Sequence, residues 1–172
     1  MMTIQAILKC AAVLLGVPEG AVEQNAVYER LLSALDSAMG ELARCFPLQA
    51  RCRITVANGA TELPAVVLTP RALLRDGKRV PLQLEEGQLL AEDGEYTLVY
   101  YRIPPMPSAM DRAEMLPYPE DLLRALPFYC AALCVMGEDQ AMYLRFMEQY
   151  NTKLAAALGY RPAAAVEAEG SI

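Results

Sequence analysis

The chain has 172 residues, of which 55 % are hydrophobic and 21 % charged, enough apolar material for a packed core in one ordinary domain or a domain with a subdomain. Its net charge is −6, from 15 basic and 21 acidic residues, which excludes bulk electrostatic coating of nucleic acid or an anionic membrane. There is no histidine and no tryptophan.

Residues 1–48 and 104–172 are acidic, and residues 49–103 are balanced. The five cysteines, Cys10, Cys45, Cys52, Cys130 and Cys134, are odd in number and irregularly spaced. That fits free thiols in a reducing compartment, not a secreted disulfide frame. The apolar run around Ile7–Leu15 is interrupted by Lys9, is preceded by no basic residue and lacks a clean cleavage site. No run reaches the roughly 18 apolar residues of a membrane span. The expectation is a soluble protein, intracellular at synthesis.

In chain order, Ile4, Ile7, Leu8, Ala11, Leu14 and Leu15 repeat at helical spacing, with Thr3 as N-cap and Gly16 and Pro18 as terminators. A second helix is expected from about Glu19 to Cys45. Its apolar stripe is Tyr28, Leu31, Leu32, Leu35, Met39, Leu42 and Phe46, and Pro47 ends it. The period then changes to two: Cys52, Ile54 and Val56 alternate with Arg51, Arg53 and Thr55. Asn58-Gly59 marks a turn, and Asp76-Gly77 a hairpin between Ala72–Arg75 and Lys78–Leu82. A second hairpin is expected between Gln88–Leu90 and Tyr96–Tyr101. In all, four to five short antiparallel strands should fill residues 49–103.

Pro104-Pro105-Met106-Pro107 forms a stiff exit. A third helix should begin near Pro119 with Glu120 and Asp121 at its positive end, kink or split at Pro127, and end at Gly137. Glu138 and Asp139 open a fourth helix with the stripe Tyr143, Met147, Tyr150, Leu154 and Leu158, read as the seam onto the N-terminal helices. Residues 160–172 read as a disordered tail. The fold class expected is α+β. A four-helix body (1–48 and 104–159) carries an inserted antiparallel β subdomain (49–103).

Chemistry is sparse. Without histidine, no serine or cysteine has the usual activating base. Cys130 and Cys134 share one helix face at i, i+4, which is half a metal site, yet their neighbours Phe128, Ala131, Ala132, Leu133 and Val135 mark a core helix. The acidic groups Glu85-Glu86, Glu92-Asp93-Glu95 and Glu138-Asp139 fall in turns and at a helix start, where acids ordinarily occur. No glycine pattern opens a helix as a nucleotide fingerprint requires. The expectation is no catalytic residue, no cofactor and no metal.

Two features remain as candidate interface. Arg71, Arg75, Lys78 and Arg79 gather around one hairpin, as a charged edge that discourages sheet aggregation or as a contact for an acidic partner. Tyr100 and Tyr101 point to opposite faces of one strand, so only one can enter a given core and the other faces out or into a partner.

The order of these pieces resembles the head-to-tail connector and tail-adaptor proteins of tailed bacteriophages and prophages. The matching pieces begin with the opening helix Ile4–Gly16 and the long helix Tyr28–Phe46. Leu63-Pro64 before a strand, the Asp76-Gly77 hairpin, and Glu95–Tyr101 leading to Pro104-Pro105 follow. Leu116-Pro117 and the closing helices, with Pro127–Ala132 and Phe146–Asn151, complete the order. The resemblance covers nearly all the chain to about Leu158, through the order of short motifs, and Cys134 departs from it. It implies a ring-forming structural protein without catalytic residues. Its partners would be its own copies and neighbouring portal or tail proteins, with DNA passing through a lumen unbound. It would work in the host cytoplasm during assembly and then in the virion. The rival expectation is a bacterial intracellular adaptor or ligand-binding domain that uses the sheet as its binding surface. A third class, an acid-based hydrolase, requires two carboxylates facing each other in a concave pocket.

Overall fold

Helix α1 (Ile4–Leu14) forms because its apolar residues recur on one face and because every early amide finds an acceptor. The Ile4 and Gln5 amides donate to the Glu114 and Arg112 carbonyls, and the Ala6 amide to Thr3 Oγ1 at 3.2 Å. At the other end Gly16 takes φ +80°. The Val17 amide reaches the Ala12 carbonyl and the Gly16 amide the Val13 carbonyl, a Schellman closure. The computed structural model describes residues 2–18 and 26–159. The disordered tail and the first part of the second helix, as expected from sequence, lie outside those residues.

The described chain divides into two compact units: residues up to Gly40 together with those from Pro105 onward, and Glu41–Pro104. Helix α2 (Val27–Cys45) runs across this division. It buries Leu31, Leu32, Leu35, Met39 and Leu42 from the expected stripe, with Ala34, Ala38 and Ala43 alongside.

In the helical unit, Pro127 splits the third helix as its missing amide requires. Helix α3 (Glu120–Leu123) stops, and α4 (Leu126–Val135) restarts with the proline in its first turn, where no amide is needed. Helix α5 (Gln140–Gly159) is capped by Asp139, whose Oδ1 accepts the Met142 amide at 2.9 Å. The seam expected to hold α5 against the N-terminal helices closes mainly on α4. Its centre is Phe146 with Ala131 and Ala132, flanked by Phe128, Val135, Met142, Tyr143 and Met147. Leu14 and Leu15 at the end of α1 join the same cluster. Tyr150 meets Tyr129 in a tilted pair with ring centroids 5.0 Å apart. Ala131 and Ala132 are fully buried at this contact, where their small side chains make room for the Phe146 ring. Arg30 of α2 donates to the Cys134 carbonyl and pairs with Glu138 at 3.0 Å, which satisfies the end of α4. No helix among the described residues is long and apolar enough to cross a membrane.

The β unit holds the expected antiparallel sheet, of four strands, and a second sheet of three strands. One antiparallel sheet has the order β1 (Gln49–Val56), β7 (Gly94–Arg102), β3 (Val67–Arg75), β4 (Lys78–Val80). A smaller sheet has the order β2 (Ala60–Glu62), β6 (Gln88–Leu90), β5 (Gln83–Glu85). The expected pairing of Gln88–Leu90 with Tyr96–Tyr101 does not form. Strand β7 is already bonded on both sides, by β1 and β3, so β6 pairs with β2 and β5 instead. The Glu92–Gly94 link crosses between sheets, and Asp93 Oδ1 accepts the Gly59 amide at 2.8 Å. The sheets share one core of Ile54, Val56, Leu73, Leu89, Tyr96, Leu98 and Tyr100. Two short gaps in the β3–β7 register surround Leu68 and Arg71 and accommodate Pro70.

Three two-residue turns have both φ angles positive: Asn58-Gly59, Asp76-Gly77 and Glu86-Gly87. At Gly77 (φ +77°) the space around a Cβ is open, so only backbone strain opposes a side chain. Gly77→Ala should lower stability by about 1–2 kcal/mol in urea unfolding. Gly40, in the exposed interior of α2 with nothing within 4 Å of a Cβ, should respond oppositely. Gly40→Ala should add about 0.5–1 kcal/mol by the same measurement.

Candidate interface surfaces

The basic hairpin cluster separates into three environments. Arg75, at the end of β3, is a fastener within the unit. Its guanidinium lies 5.5 Å from the Tyr96 ring centroid, pairs with Glu92 at 3.0 Å and donates to the Tyr96 hydroxyl at 3.4 Å. The Tyr96 hydroxyl in turn donates to the Glu92 carbonyl at 2.9 Å. Gly94 keeps that corner clear: a Cβ there would sit 3.2 Å from Arg75 Nη2. Arg71, in the register gap of β3, stacks on Tyr101 at 5.0 Å while remaining exposed. Lys78 and Arg79 lie exposed on β4, a three-residue edge strand. Short length and positive charge are ordinary guards against unwanted pairing.

The two tyrosines part as period-two geometry demands. Tyr100 is buried in the core between the two sheets. Burial pushes the Cys52 thiol above its usual range, and the Tyr100 hydroxyl pulls in the opposite direction. Tyr101 is half-buried on the other face beneath Arg71. Of the six residues marked from sequence, Arg71, Lys78, Arg79 and Tyr101 therefore have accessible surface on the sheet. Arg75 is engaged internally, and Tyr100 is core.

Sequence reasoning passed over the opposite side of the sheet. Strand β1 is an edge, bonded only to β7. The chain leaves it through one bridge, Ala57 to Ala60, so residues 49–54 have no strand on their outer side among the described residues. Arg51 and Arg53 stand exposed there. Val66, Leu68 and Ile103 are also exposed, and the Ile103 amide donates to the Val66 carbonyl at 2.9 Å, which brings the first and last together. The alternation of Arg51 to Val56 was readable. That its outer side stays open was not, because edge position depends on where distant strands go.

The helical unit offers an open groove of about 360 Å³ between α3 and α5, lined by Asp121, Arg124, Lys153, Ala156 and Ala157. Arg124 is paired with Glu120 at 2.9 Å, and the Lys153 ammonium lies 5.3 Å from the Phe128 ring. The Arg124 bond holds the exposed Glu120 carboxyl below its usual range. Among the described residues the groove is lined by one carboxylate, Asp121, so they form no facing pair of acids there. Cys130 and Cys134 are buried on α4, and burial pushes both thiols up. Cys10 and Cys45 are exposed. Among the described residues, no group of three or more cysteine, aspartate or glutamate side chains is arranged to hold a metal ion.

No protein-family model matches the chain, and no curated protein sequence matches it significantly.

Proposed function

We propose that the chain is a structural assembly subunit of a tailed phage or prophage, a ring-forming head–tail connector or tail adaptor. The observation that carries this reading is the build of the β unit. Two small sheets share one core yet leave β1 open along its outer side, with Arg51 and Arg53 exposed on that strand and Val66, Leu68 and Ile103 exposed elsewhere on the unit. Such features serve contact between proteins rather than conversion of a substrate. The order of elements, helical segments around an inserted β unit, is the order that the connector resemblance implies.

On this reading the partners are further copies of the chain and adjoining portal or tail proteins. DNA passes through the ring without being gripped, which an acidic chain of net charge −6 favours, since phosphate contacts would retard sliding. Assembly takes place in the host cytoplasm and the product resides in the virion.

The test is co-expression with the portal and first tail protein encoded beside it. Stoichiometric co-purification and a ring in negative-stain images are expected. A chain that stays monomeric and binds neither protein defeats the reading. A small molecule or peptide that co-purifies at one per chain favours the adaptor or ligand-binding alternative.

A further inference from the structure

We infer that neighbouring copies join head to tail by strand addition, with β5 of one copy pairing along the open side of β1 in the next. This rests on the ring-forming reading above and names the contact that builds the ring.

The first observation is that β1 is a long, regular edge. It is eight residues long, contains no proline, runs without a register break from Gln49 opposite Tyr101 to Val56 opposite Gly94, and points no charge into the core. Edges in stable monomers are usually shortened, bulged or given inward charges. The other edge of the same sheet, β4, has just three residues and carries Lys78 and Arg79. The two edges share positive charge and differ in length, and only β1 is long enough to receive a further strand.

The second observation is charge. Strand β1 has Arg51 and Arg53 and no acid. The smaller sheet has Glu62 on β2, Glu85 on β5 and Glu86 in the turn after it, and no basic residue in its strands. A like edge would be repelled from β1, whereas the acidic strand is attracted.

The third observation concerns the two faces of each strand. Leu84 on β5 stands directly opposite Leu89, which is fully buried, yet Leu84 is 47 % exposed. The apolar face of the small sheet therefore runs past its last strand. On β1, Cys52 is half-buried on the core face, between Arg51 and Arg53 on the outer face. Strand addition sets Leu84 beside Cys52 on one face and Gln83 and Glu85 beside the arginines on the other. Both faces are completed by one register, because side chains alternate with period two on each partner. Since β1 and β5 are different surfaces, the contact is heterologous, the kind that builds a ring when the rotation between copies closes.

The experiment compares the full chain in reductant with two charge-reversed forms. These are Arg51→Glu/Arg53→Glu, and Gln83→Lys/Glu85→Lys, each followed by sedimentation velocity and native mass spectrometry. Each form alone should lose self-association by roughly tenfold or more. Mixed in equal amounts, the two should recover it, since the reversed β1 of one meets the reversed β5 of the other and the unaltered edges match as well. Recovery on mixing is a result that simple misfolding cannot produce. If the wild-type chain assembles and the reversed forms assemble equally well, strand addition is overturned and the ring-forming reading stands. If the reversed forms stay apart when mixed, strand addition is likewise overturned. A wild-type chain that remains monomeric at every concentration and with its portal overturns both.

Discussion

Truncating Leu98 to alanine should lower stability by about 2–5 kcal/mol, the range for a buried leucine whose cavity cannot collapse. Leu98 is fully buried at the centre of β7, bonded to β1 on one side and β3 on the other, opposite Cys52 and Leu73. The core around it comes from both sheets, with Ile54, Leu73 and Leu89 as neighbours in the cluster. Two hydrogen-bonded ladders hold the backbone in place, so the space left by the missing methyls stays open. Urea unfolding followed by far-ultraviolet circular dichroism checks this, with Val66→Ala as the exposed comparison expected within about 0.5 kcal/mol of wild type. A cost for Leu98→Ala no larger than that of Val66→Ala would show that the two sheets do not share a core.

Mild alkali should destabilise the chain through Cys130. Its thiol is fully buried on α4, and burial, reinforced by the nearby Cys134, pushes its ionisation far up. In the unfolded chain the same thiol ionises near pH ~8.5. A folded-state pKa raised above the unfolded value contributes stability that is complete below the unfolded pKa. That stability is lost progressively as pH rises from there towards the folded pKa. Above pH ~8.5 the wild-type chain should therefore lose up to about 1.4 kcal/mol per pH unit from this group. Cys134 adds in the same direction, since burial and Glu138 raise its thiol while Arg30 opposes them. Urea midpoints measured from pH 7 to 9.5 for wild type and Cys130→Ala check the claim, with the alanine form showing the flatter profile. Equal slopes would sink it. In the same pH range alkylating reagents should modify Cys10 and Cys45 first, because those thiols are exposed.

Much of the local structure was legible because its causes are local. Thr3, Gly16, Gly137 and Asp139 bound their helices by capping chemistry confined to a few neighbouring residues. Pro127 broke the third helix for the covalent reason that it has no amide. Asp76-Gly77 made its hairpin because few other dipeptides accept two positive φ angles. The candidate surface was less legible. Arg75 was counted with its basic neighbours, although Tyr96 and Glu92, about twenty residues later, decide that it fastens the unit internally. Tyr100 and Tyr101 could be assigned to opposite faces, but which face was core required knowing where Leu89 and Ile54 lie.

The failed hairpin shows the same division. Glu92–Gly94 has turn chemistry and lies between two strand-like runs, so local signals favoured pairing β6 with β7. Strand β7 had instead used both of its edges on β1 and β3. Each strand has only two edges, and how they are used is settled across the whole unit.

By itself, then, the sequence determined the α+β class, most helix ends, the two-residue turns and the alternation that sets Arg51 and Arg53 apart from Cys52 and Ile54. These follow from backbone sterics, capping bonds and the two periods of 3.6 and 2. Only the tertiary structure decided that there are two sheets, that α5 closes on α4, that Arg75 is spent within the unit, and that β1 is left open. Those outcomes depend on competition for buried area and for strand edges between residues far apart in the chain, and no local pattern records which competitor wins.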